Sequence, residues 1–124
     1  MDLNTHYANA AIKSHILSDE EMESIGFTNY NEPHWFFTRQ IKFPNLSRYR
    51  NFEVTFNVTI PKDGSDIYID VLDEDFCQPY DYQMMLSHNP KLESALIVQE
   101  QVEQWMDYLQ EKGVLSGHIK GEYI

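Results

Sequence analysis

At 124 residues the chain is long enough for one hydrophobic core and too short for two. Its 42% hydrophobic and 14% aromatic content, against 23% charged, can offset the entropy of ordering a chain, so a folded domain is expected rather than a disordered tail. Twenty Asp and Glu against nine Lys and Arg leave a formal net charge of -11, a field that repels phosphate backbones and anionic lipid and disfavours direct nucleic-acid binding.

In chain order, Tyr7 to Leu17 has Ala8, Ala11, Ile12 and Ile16 at the spacing of a helical face, although Asn4 and Asn9 favour fraying. Ser18-Asp19-Glu20-Glu21 is a capping box, since the Ser18 hydroxyl can accept from a backbone N–H while Glu21 reaches back. A short helix with Met22 and Ile25 inward is expected, closed by Gly26 in a left-handed conformation with Phe27 as its hydrophobic contact.

From His34 to Phe43 the residues Trp35, Phe37, Ile41 and Phe43 share one parity, the period of a half-buried strand. Arg39 interrupts that face. It reads either as a sheet-margin arginine with a packed stem and a head on water or carboxylate, or as a buried anion site. Phe52 to Ile60 alternates without error, with Phe52, Val54, Phe56, Val58 and Ile60 inward. Pro61-Lys62-Asp63-Gly64-Ser65 is a turn whose Asp-Gly suits a tight hairpin. The returning strand, Asp66 to Leu72, places Ile67, Ile69 and Val71 inward and Asp66, Tyr68 and Asp70 outward. Tyr80 to Leu86 reads as a fourth, less regular strand with Tyr82, Met84 and Leu86 on one face. Asn89-Pro90 fits the start of a helix. Leu92, Ala95, Leu96, Val102, Trp105, Met106 and Leu109 recur at helical spacing up to Lys112, and Gly113 is placed to cap the C-terminus.

A one-sided antiparallel sheet needs a cover and an amphipathic helix needs a partner. The expected fold is therefore a single α+β domain over 1–124: a three- to four-stranded antiparallel meander covered on one face by a C-terminal helix, with a short N-terminal helix. Residues 1–17 and 114–124 read as arms, the latter forming either an edge strand or a docked segment.

Chemistry-bearing motifs are sparse. There is no phosphate loop, dinucleotide fingerprint or nucleophile elbow, and no cofactor is implied. His6, His15, His34, His88 and His118 are too far apart in the chain for a local metal pair and read as surface or loop residues. Cys77 stands alone, which leaves no disulfide or thiolate cage and no basic neighbour to activate it. Met1 to Asn9 lacks the basic start and apolar run of a signal peptide, and no apolar stretch approaches the roughly 20 residues that span a bilayer. A cytoplasmic protein is expected, and the sequons at Asn45 and Asn57 then carry no meaning.

Two charged segments remain. Arg39, Lys42, Arg48 and Arg50 lie within Trp35 to Phe52, which holds no acid, and predict a basic edge. Asp66, Tyr68, Asp70, Asp73, Glu74, Asp75, Tyr80 and Tyr82 join carboxylates to aromatic anchors and form the candidate interface for a protein partner. The reading that follows is a non-enzymatic binding module whose carboxylates imitate phosphates in the basic groove of a DNA- or RNA-handling enzyme. In general character, small, acidic, aromatic and without catalytic signatures, the chain is similar to accessory proteins of bacterial viruses and mobile elements, a likeness that transfers no residues. Two alternatives stay open: a carboxylate-based, divalent-metal-dependent hydrolase or transferase, and a structural protein that self-associates through an open sheet edge or the helix.

Overall fold

The computed structural model describes residues 12–29, 33–50, 52–74 and 78–118. Its elements run β1 (Lys13–Ser14), α1 (Asp19–Ile25), β2 (His34–Gln40), a 3₁₀ turn (Ser47–Tyr49), β3 (Val54–Pro61), β4 (Tyr68–Asp73), β5 (Gln78–Pro79), α2 (Tyr82–His88), α3 (Glu93–Glu111) and β6 (Leu115–Ser116). Strands β2-β3-β4-β5 form one antiparallel sheet in sequence order, and β1 pairs with β6 in a separate two-stranded ribbon. The expected α+β meander, its long C-terminal helix and its short N-terminal helix are all present.

The sheet is one-sided because its sequence alternates. Trp35, Phe37, Val54, Phe56, Val58, Ile60, Ile69 and Val71 are at most 1% exposed, whereas Thr38, Thr55, Asn57, Thr59, Tyr68 and Asp70 on the other face reach solvent in part or in full. α3 covers the inner face with Ala95, Val98, Val102, Met106 and Leu109, all fully buried and spaced three or four residues apart. Its Trp105 and Tyr108 rings lie 5.6 and 6.3 Å from the ring of Phe37, which ties the middle of β2 to the second half of the helix.

α1 begins and ends as its sequence dictates. Ser18 Oγ accepts from Glu21 N at 3.2 Å and the Glu21 carboxylate accepts from Ser18 N, completing the capping box. At the other end Phe27 N donates to Met22 O and Gly26 N to Glu23 O, the paired bonds of a Schellman closure, with Gly26 at φ 123°. Gly113 closes α3 at φ 83°.

Several expectations are corrected. Tyr80 to Leu86 is not a strand: Asp81 accepts from Met84 N at 3.1 Å and caps α2, which buries Tyr82, half-buries Met85 and Leu86, and leaves Met84 56% exposed. The alternation of Tyr82, Met84 and Leu86 concealed a three- and four-residue spacing, and the fourth strand is the two-residue β5. α3 starts at Glu93, two turn residues after Asn89-Pro90, because Asn89 Oδ1 and its carbonyl accept from Lys91 N and Leu92 N and hold a turn first. β2 stops at Gln40, so Phe43 joins the following loop. The loop between β3 and β4 runs from Lys62 to Ile67, longer than a tight hairpin, with Asp63 accepting from Ser65 N and Oγ around Gly64. Lys13–Ser14 is extended rather than helical, since β6 offers it a ladder; Ala8 and Ala11 lie outside the described residues.

Candidate functional site

Two surfaces carry the residues singled out in the sequence. The first is the outer row of β4. Tyr68 is exposed and Asp70 half-buried on the face away from α3, and Asp66 and Glu74 are exposed just before and just after the strand. Of these carboxylates only Asp70 lies within β4; Asp66 belongs to the preceding loop and Glu74 to the turn that follows. The register Val54↔Asp73 places Glu53 opposite Glu74, whose N–H donates to the Glu53 carbonyl at 2.9 Å. Glu53 thus joins the acidic row, a placement visible only once the strand register is known.

The same register removes other members. Asp73 is inward-facing and 6% exposed, Tyr80 is 4% exposed and Tyr82 is fully buried. Tyr80 donates to Ser94 Oγ at 3.2 Å, and burial pushes its phenol above the ordinary value. These three residues build the junction between the end of β4 and the two C-terminal helices; they offer no surface to a partner. Asp75 and Cys77 lie outside the described residues.

The second surface is the connection from β2 to β3. Phe43, Tyr49 and Phe52 cluster there, with Phe43 stacked on Tyr49 at 5.2 Å and edge-on to Phe52 at 4.8 Å. The loop is fastened to α3 at both ends. Gln101 Oε1 accepts from Lys42 N at 2.8 Å while its Nε2 donates to Lys42 O at 2.7 Å, and Glu93 accepts from both Arg48 Nη2 and the Tyr49 hydroxyl. Those two donors hold the Glu93 carboxyl below its usual range, Tyr49 first, and the bond to Glu93 raises the Tyr49 phenol. An open cleft of about 480 Å³ results, lined from Gln40 to Glu53, with Arg50 on its wall.

The four basic residues therefore do not form one edge. Arg48 is bound to Glu93 and lies over Tyr49, and Arg50 and Lys42 are exposed on the loop. Arg39 turns back across the rings of Phe37 and Trp105, 4.1 and 5.1 Å from their centroids, and its Nη1 donates to Thr38 O at 2.8 Å. Arg39 is thus a half-buried arginine packed on aromatic carbon at the margin of β2. The bond to Thr38 also covers part of that open edge, as does Thr28, which exchanges both backbone bonds with Phe36.

The fold is shared. The crystal structure of a DUF1831 family protein (lp2179) from Lactobacillus plantarum is similar, with a TM-score of 0.59 over 84% of this chain and 82% of that one. Sequence identity is 15%, so the likeness concerns architecture. No protein-family model and no curated protein matches the chain.

Among the described residues, no three His, Cys, Asp or Glu side chains gather as a metal ion would require, and no helix is long and apolar enough to cross a membrane. One pair escaped the sequence reading. His118, read as a surface or loop residue, is 8% exposed, with Nε2 2.9 Å from Glu103 Oε2 inside the core, and its backbone N–H donates to Gln110 Oε1 at 3.0 Å. The available signal was the i, i+7 alignment of Glu103 and Gln110 beside the apolar stripe of α3.

Proposed function

We propose that this protein is a non-enzymatic binding module that engages a cationic surface on a partner protein through the outer row of β4. The observation that carries the reading is the set of carboxylates along and at the ends of β4, Asp70 on its outer face, Asp66 just before it and Glu74 just after it beside Glu53, with the exposed Tyr68 between Asp66 and Asp70 in the chain. Carboxylates on and beside a paired strand are partly ordered in advance, which lowers the cost of meeting a basic groove. In the sharper form of the proposal the groove belongs to a DNA- or RNA-handling enzyme and the row takes the place of phosphates. An accessory protein of a virus or mobile element would use such a surface to block that enzyme.

The test is affinity capture from host lysate with wild type and a Glu53→Gln, Asp66→Asn, Asp70→Asn, Glu74→Gln variant, at low and high salt. Asp73 stays unchanged because it is buried and its loss would confuse unfolding with lost recognition. A nucleic-acid enzyme retained by wild type, released by salt and ignored by the variant is the expected result. Equal capture by both proteins refutes the proposal.

A further inference from the structure

The cleft on the β2–β3 connection is a second feature, which meets the acidic row at Glu53. Its volume of about 480 Å³ falls in the range of small-molecule sites, roughly 300 to 1,000 Å³. It is also prebuilt. The double bond of Gln101 to the Lys42 backbone, the Glu93 anchor on Arg48 and Tyr49, and the Phe43–Tyr49–Phe52 ring cluster fix the loop before anything binds. Arg50 stands on the wall of the cleft, exposed, and no carboxylate among the described residues lies within ion-pair distance of it. In a chain with 20 acids and nine Lys and Arg, that is a cation left over in a cleft whose lining also includes Phe43, Tyr49 and Phe52.

We infer that this cleft binds a small molecule with one aromatic ring and a single negative charge, an aryl carboxylate, its acid group on Arg50 and its ring against Phe43 and Phe52. The charge count decides between a carboxylate and a phosphate. Arg48 is already committed to Glu93, and Glu53 on the cleft wall repels added negative charge, so one anionic group can be matched and a dianion cannot. The guanidinium fork suits a carboxylate in two parallel bonds, and a ring in the cleft adds the edge-on contacts that the Phe43–Phe52 pair already shows.

Titration of the labelled protein with phenylacetate, followed by amide NMR, tests this. A fragment of this size should bind in about the millimolar range and shift amides within residues 40–53 in a saturable way. Arg50→Gln, at an exposed position, should weaken binding about tenfold or more while the remaining spectrum is unchanged. Benzylamine, of similar shape and opposite charge, should shift none of these amides, and inorganic phosphate should bind more weakly than phenylacetate. No saturable response, an equal response to benzylamine, tighter binding of phosphate, or unchanged affinity in Arg50→Gln would each overturn the inference. None of these outcomes bears on the acidic row.

Discussion

Gly26 and Arg39 form a single structural device. Gly26 sits at φ 123°, and a Cβ built there would come within 2.3 Å of Arg39 Nη2 and 3.3 Å of the Phe37 ring. Gly26→Ala therefore carries two costs. Left-handed backbone costs an L-residue about 1 to 2 kcal/mol. The collision is with the far end of a flexible side chain, so it is relieved when Arg39 moves away. The second cost is then the loss of Arg39's contacts: two cation–π interactions and one hydrogen bond, together about 1 to 2 kcal/mol at a half-buried site. The sum is about 3 kcal/mol, or a fall in Tm of roughly 10 °C for a chain of this size. Arg39→Ala alone should cost only the second part. In the double variant the collision has gone, so Gly26→Ala should cost about 1 to 2 kcal/mol less than in wild type. Urea unfolding of all four proteins, read by the fluorescence of Trp35 and Trp105 and by far-UV circular dichroism, measures that coupling. Strict additivity would refute the idea that glycine is needed there to admit the guanidinium.

Gly113→Ala, at φ 83° with nothing within 4 Å of the new Cβ, should cost about 1 kcal/mol by backbone strain alone, unchanged by substitution of any neighbour. Met106→Ala, at a fully buried site, should lower unfolding free energy by about 2 to 5 kcal/mol, read as a reduced urea midpoint at constant slope. Glu93 has a depressed carboxyl pKa, so its contribution is present above the ordinary glutamate value of 4.5 and is lost as pH falls through the lower folded value. Tyr49 has a raised one, so its contribution is present below pH 10 and is lost as pH rises through the higher folded value. Glu93→Gln should flatten both limbs of the stability-versus-pH curve, and an unchanged curve would contradict the pairing.

The sequence was most legible where one period ruled a segment alone. β3 and β4 alternate strictly, and the box from Ser18 to Glu21 has only one common meaning. Legibility failed where two periods coincide over a short stretch. Tyr82, Met84 and Leu86 alternate, yet Tyr82 with Met85 and Leu86 also matches a helix, and one side-chain bond from Asp81 decides between them. The candidate interface failed for a different reason. Local composition groups Asp73 with Asp70, although Asp73 shares the inward parity of Ile69 and Val71; the expected strand ends at Leu72, one residue short of it. Glu53 was missed by the same blindness, and the cleft by another: Lys42 and Gln101 are 59 residues apart, and no local pattern announces that they meet.

The β1–β6 ribbon carries a consequence for the order of assembly. β2, β3 and β4 are joined by connections of modest length and can zip from their turns, whereas His15 and Ser116 are 101 residues apart when their side chains meet. Closing so long a segment is entropically costly until the intervening chain has condensed, so the ribbon forms after the meander and α3 have docked. The ribbon shares no strand with the four-stranded sheet, so the seam that closes last joins the two ends of the described chain and not the meander itself.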